Sequence, residues 1–131
     1  MLDRFDIHVE VPPVKFDELR STELTESSAK IKKRVDLARE IQRERFKGSS
    51  TLCNAKINAE QFEKACVIDK AAEGTLKDAF ESLGLTARAY DRVLKVARTI
   101  ADLEQSEVIR SEHVLEAVQY RSLDRKYWSA T

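Results

Sequence analysis

The sequence is poor in the residues that mark several common classes of protein. Its 131 residues include only two cysteines, three glycines and two prolines. Cys53 and Cys66 lie in no CxxC or histidine spacing, so neither a metal site nor a disulfide framework is predicted, and both thiols are expected to be reduced. Because glycine and proline are scarce and 35% of the residues are charged, an all-α fold is favoured over a turn-rich β architecture.

Charge and hydropathy exclude further classes. The 23 basic and 23 acidic residues give a net charge of zero, so no global field attracts nucleic acid or an anionic membrane. No apolar run approaches the roughly 18 residues of a membrane span, and the N-terminus lacks the basic and apolar regions of a signal peptide. We expect a cytoplasmic protein of one unit without membrane contact, in which any contact with an anion is local.

The N-terminal segment has a different pattern from the rest of the chain. Residues 5–11 alternate apolar and polar side chains, as in a half-buried β-strand, and Pro12 and Pro13 end the pattern. No second alternating segment follows, and a lone strand cannot satisfy its own backbone groups. We interpret it as a strand separated from its sheet, and expect the natural protein to extend upstream of Met1. The alternative is a native helical protein with a short extended arm.

Residues 14–26 are polar and suit a connector, and a long charged helix follows them. Ser27 or Ser28 can cap it, and Gly48 supplies a stop after about Lys47. Its basic residues are interpreted as a solvated face, because acids at i,i+4 positions cancel them. The apolar positions predicted to face inward are Ile31, Val35, Ala38 and Ile41.

Four shorter helices are predicted after a loop at 49–57, each begun by a polar cap. The predicted caps are Asn58 with Gln61, then Asp69, Thr86 and Ser111, and Gly84 ends the second of these helices. The predicted inner positions are Ala72, Leu76, Ala79, Phe80, Leu83, Ala89, Val93, Val96, Ala97, Ile100, Val114, Leu115 and Val118. Arg88, Arg92 and Arg98 are expected to project elsewhere, and Leu123, Tyr127 and Trp128 to fold back onto the bundle.

Arg88 carries the unexpected charge for its position in the first turn of the helix that Thr86 caps. That turn has unpaired backbone N–H groups and about half a positive charge, so an acidic residue is favoured and a cation costs a few tenths of a kcal/mol. An external anion would reverse this cost, because amides, helix dipole and guanidinium would converge on it. The pattern indicates a phosphate contact; the alternative is an exposed arginine that the helix tolerates.

Catalytic motifs are absent from the sequence. It has no GxxxxGK[ST] phosphate loop, no GxSxG and no HExxH pattern, so the chain alone is not expected to be an ATPase. His8 and His113 have no arrangement of a serine or cysteine nucleophile around them, and both are interpreted as structural or exposed.

Three segments, taken in order, resemble the C-terminal part of magnesium-chelatase-like AAA+ ATPases, and specifically the ComM/YifB branch, the competence-protein type. They are residues 2–11, LDRFDIHVEV; the long helix ending at Gly48 with the following Asn54-Ala55; and residues 88–103 with 112–121. The chlorophyll-pathway chelatase subunit fits less well, because the VARTIAD segment belongs to the other branch.

The resemblance implies roles for three residues. Arg4 matches the arginine finger, which reaches the ATP of a neighbouring subunit, and Asp3 lies at the same subunit contact. Arg88 matches the sensor-2 arginine of the helical lid, which contacts the γ-phosphate. Both arginines would stabilise charge on the transferring phosphoryl group and link the lid position to nucleotide state.

The resemblance also implies a division of the chain. Residues 1–24 would be the last strand of the AAA+ core with its connector, and 25–131 a helical lid of about five helices. The phosphate loop and the Mg-binding residues would lie upstream, so ATP and Mg belong to the full-length parent and this fragment is expected to bind nucleotide very weakly and to be inactive. The implied partners are the upstream core, neighbouring subunits in a ring expected to be hexameric, and DNA as a candidate substrate. The competing hypothesis is a non-enzymatic helical protein-interaction module.

Overall fold

The computed structural model describes residues 5–9, 13, 15–19 and 25–121. These residues contain five helices of seven or more residues, one single-turn helix at the start, and no β-strand. The all-α prediction is therefore confirmed. The elements are α1 (Phe16–Leu19), α2 (Ser28–Arg45), a 3-10 turn (Asn54–Lys56), α3 (Ala59–Ala65), α4 (Lys70–Leu83), α5 (Ala87–Leu103) and α6 (Ser111–Gln119).

The helix starts are set by local side-chain caps, and most of the predicted caps are confirmed. Ser27, Asp69 and Thr86 each accept a hydrogen bond from the backbone N–H three residues later. Asn58 and Gln61 form the reciprocal capping box, and Gly84 ends α4 in the left-handed conformation with φ 61°. These features depend on neighbours within four residues, so the sequence pattern is sufficient to predict them.

The N-cap predicted at Ser111 is wrong, because the N-cap of α6 lies one residue earlier in the sequence. Arg110 is the N-cap residue and its backbone N–H donates to Nδ1 of His113, at 2.9 Å. Ser111 is the first residue of the helix. The imidazole of His113 thus reaches back to the backbone N–H of the N-cap residue, as the N3 side chain of a capping box does.

The main core lies where α4, α5 and α6 meet, with α2 packed on the other side of α5. Its fully buried members include Ala72, Val93, Ala97 and Val114, as predicted. Leu115, however, is 52% exposed, so its predicted inward position is wrong. The other buried residues of this cluster are Leu76, Leu94, Ile100, Ala101, Ile109 and Ala117.

The first half of α2 lies outside the bundle. Ile31 and Val35, predicted to face inward, are 44% and 42% exposed, and burial on α2 begins only at Ala38. Gln42 and Phe46 continue the buried side toward the C-terminal end. The helical spacing of the apolar residues was interpreted correctly, but no other element among the described residues reaches far enough to cover the first three turns.

The predicted strand at residues 5–11 is wrong for the part that the structure describes. Residues 5–9 form no strand; they lie on the bundle, where the His8 N–H donates to the Tyr120 carbonyl and Arg121 donates to the Phe5 carbonyl. His8 is buried, whereas the apolar side chains at positions 5, 7 and 9 are more than half exposed. The alternating pattern is real, but its polar side faces the helices.

One β-bridge ties the loops before α4 and α6 together. The Ile109 N–H donates to the Val67 carbonyl at 2.8 Å, and the Asp69 N–H donates to the Ile109 carbonyl at 3.1 Å. Because Ile109 is fully buried, this bridge fixes the approach of α6 to α4. None of the helices in the described part of the chain is both long and apolar enough to cross a membrane.

Candidate functional site

Arg88 lies in the first turn of α5 and is exposed. Its guanidinium has no hydrogen bond or ion pair to any residue that the structure describes. Thr86 accepts from the Ala89 and Tyr90 N–H groups, through its hydroxyl at 3.1 Å and its carbonyl at 2.9 Å. The N–H groups of Ala87 and Arg88 have no acceptor within the same described residues, and the turn contains no acid. Within the described part of the chain, the start of α5 therefore combines backbone donors that have no acceptor, the positive end of the helix dipole and a guanidinium that has no partner.

Two further cations follow Arg88 along the same face of α5. Arg92 and Lys95 occupy the i+4 and i+7 positions, which place all three side chains in one row. Arg92 pairs with Asp6 Oδ1 of the N-terminal segment, and its side chain is 30% exposed. Asp91, on the adjacent row, is exposed and makes no ion pair with a residue in the described ranges. The N-terminal half of α5 thus presents a row of three basic side chains, of which one is neutralised by an acid in the described ranges.

The other two residues predicted for the site, Asp3 and Arg4, lie outside the described residues. Their roles at a subunit contact and as an arginine finger therefore stay predictions. The nearest described neighbour in sequence is the segment 5–9, which reaches α5 through the Asp6 to Arg92 ion pair. This contact places the start of the described chain beside the basic row.

A buried polar network was missed by sequence reasoning. The Asp102 carboxylate, fully buried, accepts from both terminal nitrogens of Arg45, at 2.8 and 2.6 Å, and from the Asn54 amide at 2.9 Å. Arg98 lies 3.2 Å from the same carboxylate. The Gln42 amide oxygen joins the network by accepting the Asn54 backbone N–H. Charged groups so deeply buried persist only when paired and hydrogen-bonded, as these are.

Arg98 was expected to project away from the core, and that expectation is wrong. The side chain is 2% exposed and donates to the carbonyls of Ala65, Ser106 and Glu107. Burial lowers the pKa of the Arg98 guanidinium, while the charge of Asp102 opposes that shift. The one local signal was the i,i+4 spacing of Arg98 and Asp102; their burial depends on loops and helices remote in sequence.

The charges of α2 divide into two groups. The pairs Lys32 with Asp36 and Arg43 with Glu40 are exposed at i,i+4 and i,i+3 spacing, as the solvated-face interpretation predicts. Arg45 departs from that interpretation, because its side chain is 19% exposed and its guanidinium binds Asp102, 57 residues later in the chain. A contact between residues so far apart in the sequence cannot be predicted from the local spacing of charges.

His113 is structural, as the sequence analysis expected for both histidines. Its Nδ1 accepts the Arg110 N–H, so in the neutral ring Nε2 carries the proton and donates to Glu104 at 2.6 Å. Glu112 brings a third potential ligand atom within 4.8 Å of this pair. A metal ion would need the lone pair of the nitrogen that holds the proton, so the arrangement serves as a helix cap rather than as a metal centre.

A family model and two groups of relatives match this chain. The model described as magnesium chelatase, subunit ChlI C-terminal, matches residues 25–121. The uncharacterized protein YifB of Escherichia coli K12 is 42% identical, and the competence protein ComM of Haemophilus influenzae 40% identical, each over 125 residues. An uncharacterized protein of Mycobacterium tuberculosis H37Rv is 27% identical over 121 residues.

These matches cover most of this chain and a minor part of each relative. The alignments to YifB and ComM span 95% of the chain but 24% of the relative, and the mycobacterial alignment spans 92% and 24%. The chain therefore spans about a quarter of the length of the curated relatives it matches.

Proposed function

The chain belongs to the magnesium chelatase, subunit ChlI C-terminal family, and on that premise we propose that it is the helical lid of a ComM/YifB-like AAA+ ATPase. In this proposal Arg88 is the sensor-2 arginine, which binds the terminal phosphate of ATP. The observation that supports it is the guanidinium in the first turn of α5, which is exposed and has no partner among the residues that the structure describes. A buried or ion-paired Arg88 would have left it no way to meet a ligand.

The start of α5 has donors that fit a terminal phosphate. The Arg88 guanidinium offers a planar fork of N–H groups, and the Ala87 and Arg88 amides lie at the positive end of the helix. When bound in the parent, ATP supplies the γ-phosphoryl group that is transferred to water. Arg88 would hold negative charge on that group and, because α5 is the central helix of the bundle, would link the position of the lid to the presence of the γ-phosphate.

The rest of the nucleotide site is proposed to come from outside the described residues. Arg4 would act as an arginine finger on the ATP of a neighbouring subunit, and Asp3 would lie at that subunit contact. Mg would be held by upstream residues, because Asp91 is the only carboxylate within four residues of Arg88. The parent would then be a ring, which we propose to be hexameric, in which each lid responds to its own nucleotide.

DNA remodelling is the activity that we propose for the parent protein. The Haemophilus influenzae relative is named a competence protein, and this chain is 40% identical to it over 125 residues. We extend to the parent of this chain an ATP-driven action on DNA. The chain itself has no net charge to hold DNA, so the DNA contact would lie in other parts of the ring.

Nucleotide titration followed by NMR tests the role of Arg88. The chain is titrated with ATP, ADP and AMP while the amide signals of α5 and the Arg88 side-chain signal are followed. We expect ATP to shift the signals of Ala87 to Ala89 most and AMP least, with weak affinity, because half of the site is missing. The Arg88→Gln variant removes a charge-assisted hydrogen bond of about 1.5 kcal/mol at this exposed position, or about a tenfold loss in affinity.

The matched control is Arg39→Gln, which removes an exposed arginine of α2 that has no ion pair among the described residues. It should leave the ATP affinity unchanged. If the largest ATP shifts fall on a face without Arg88, or if Arg88→Gln and Arg39→Gln bind ATP equally, the lid assignment of this residue is refuted. In the full-length parent the same Arg88→Gln change is expected to lower ATP turnover.

A protein-interaction module is the second candidate function, and the exposed half of α2 favours it. Ile31 and Val35 lie four residues apart on a projecting helix and are uncovered by the described part of the chain. An apolar pair of this kind is typical of a helix that docks in a groove of another protein. The titration separates the two hypotheses, since a pure interaction module would show no preference for ATP over AMP at α5.

A further inference from the structure

A cavity with a basic lining lies beside the C-terminal half of α5, away from the site proposed above. It has a volume of about 330 Å³ and is lined by the end of α2 and the residues after it, by α3, by α5 and by the loop that follows α5. Arg98, which lines it, comes ten residues after Arg88, or about 15 Å along the helix. The side chains that line this basic cavity are described by the structure; Leu123, Tyr127 and Trp128, which were predicted to fold back onto the bundle, lie outside the described residues. Cavities of about 300 Å³ or more are of the size that small ligands occupy.

Positive charge dominates the lining of the basic cavity. Its cationic side chains are Arg45, Lys47, Lys64 and Arg98. Glu107 is the one acid among its described lining residues, and the buried Asp102 pairs with both arginines. Two of the four positive charges therefore remain unbalanced within the described part of the chain. Lys47 and Lys64 are exposed and make no ion pair with a residue that the structure describes, so both ammonium groups are available to a ligand.

Arg98 contributes a buried donor that lacks an acceptor. Its two terminal nitrogens donate to backbone carbonyls, and one of them also lies 3.2 Å from the Asp102 carboxylate. The Arg98 Nε–H, in contrast, has no hydrogen-bond partner among the described residues, although the side chain is only 2% exposed. Because native proteins pair nearly all of their buried polar groups, a buried donor in the wall of a cavity indicates an acceptor supplied by an occupant of that cavity.

We propose that the basic cavity binds a phosphate group that carries two negative charges, as inorganic phosphate or as a phosphate monoester. Such a group has a charge of about −1.5 to −2 near pH 7, which matches the two unbalanced cations. Its oxygens supply the acceptor that the Arg98 Nε–H lacks, while the ammonium groups of Lys47 and Lys64 bring further charged donors. A phosphate diester or a carboxylate carries a single negative charge and would leave one cation unbalanced.

The walls of the basic cavity are held in place by contacts within the fold. Phe46 and Ala65, both buried, line it and belong to a second hydrophobic cluster with Ile57. Ser49 and Gln61 line it as well, and the Gln61 amide donates to the Ser49 hydroxyl at 3.3 Å. Because these walls are already ordered, a ligand binds there without the cost of ordering a loop.

Phosphate titration of the chain, followed by NMR, tests the proposal. The Arg98 side-chain Nε–H signal and the amide signals of Lys47 and Lys64 are recorded while inorganic phosphate is added. We expect saturable shifts of these signals, and none when sodium chloride is added to the same ionic strength. Glycerol 3-phosphate, a monoester, should act like inorganic phosphate, whereas dimethyl phosphate, a diester with one negative charge, should bind more weakly.

Paired lysine variants locate the binding. Lys47→Gln/Lys64→Gln removes two charged donors at exposed positions of the basic cavity, and should weaken phosphate binding about tenfold. The matched control is Lys30→Gln/Lys33→Gln, which removes two exposed lysines of α2 outside the cavity and gives the same net charge. It should leave the phosphate affinity unchanged.

Several outcomes would overturn the proposal. One is the absence of a saturable Arg98 shift in the wild-type protein, a result that requires no variant to fold. Equal phosphate affinities of the cavity variant and its control would do the same. Dimethyl phosphate that binds as tightly as inorganic phosphate would assign the cavity to a diester such as the DNA backbone instead. Titration of Arg88→Gln keeps this inference separate from the lid assignment: the Arg98 shift should persist in that variant, and its loss would mean that the basic cavity is not a site of its own.

Discussion

Replacement of Asp102 by asparagine is the sharpest test of how the bundle is held together. The carboxylate is fully buried between Arg45 and Arg98, and the substitution keeps its size while removing its charge. Arg45 is 19% exposed and can turn toward water, whereas Arg98 is 2% exposed and cannot do so without opening the core. The new amide also presents its NH2 group toward guanidinium and Asn54 donors, where an acceptor is needed.

The expected loss follows from leaving one guanidinium buried without its counter-ion. Breaking a buried ion pair by removing one partner costs about 3–5 kcal/mol, which is a large share of the roughly 5–15 kcal/mol by which a domain of this size is stable. Three carbonyl acceptors of Arg98 survive the substitution, so we expect the lower half of this range. With a urea dependence of about 2 kcal/mol per molar, the unfolding midpoint should fall by about 1.5–2 M.

Urea unfolding followed by circular dichroism measures this loss. The matched control is Asp36→Asn, which removes the same charge from an exposed pair with Lys32 on α2, where the acid is 62% exposed. That control should change stability by less than about 0.5 kcal/mol. If Asp102→Asn costs less than about 1 kcal/mol, or no more than Asp36→Asn, the network does not stabilise the fold as argued.

Two other predictions follow from backbone and thiol chemistry. Gly84→Ala should cost about 1 kcal/mol of stability, because residue 84 has φ 61°. Gly74→Ala should instead stabilise the protein by about 0.5–1 kcal/mol, because residue 74 lies inside α4 and an added methyl group would have no atom within 4 Å. The thermal unfolding midpoints of the two variants should therefore move in opposite directions. Burial raises the pKa of the Cys66 thiol from 9.0 to about 11, although the nearby positive charge of Arg98 acts to lower it. As the pH rises, the Cys66 thiol is therefore deprotonated in the unfolded chain before it is deprotonated in the folded one. The contribution of Cys66 to the free energy of unfolding should stay level below pH 9 and fall between about pH 9 and 11. The measurement is the difference in unfolding free energy between Cys53→Ala and Cys53→Ala/Cys66→Ala; a difference that stays constant through this pH range would contradict the shift.

Local features of the fold were predictable because their causes are local. The caps at Asn58, Asp69 and Thr86, and the left-handed stop at Gly84, each involve partners within four residues, which the printed sequence places together. Arg88 in the first turn of α5 follows from the same kind of reasoning. Its position was predictable, and its exposure is consistent with the predicted phosphate contact, whereas the contact itself stays a prediction.

The predictions that proved wrong concern residues whose burial depends on a partner far away in the sequence. Arg98 was assigned to the surface, although Ala65 and the loop after α5 supply carbonyls that bury it. Ile31 and Val35 have the spacing of a buried stripe, but nothing among the described residues covers them. Asp6 and His8 face the bundle because Asp6 pairs with Arg92 and the His8 N–H donates to the Tyr120 carbonyl.

By itself, then, the sequence determined the five longer helices, most of their ends and the position of the α5 cation, but not α1 or the 3-10 turn. These depend on hydrogen bonds and spacings within one or two turns, where each residue meets the same neighbours in any fold. Only the tertiary structure decided which charges are buried and which apolar faces are covered. The reason is that burial of Asp102 depends on Arg45, 57 residues away, and a desolvated charge is tolerated only where such a partner arrives.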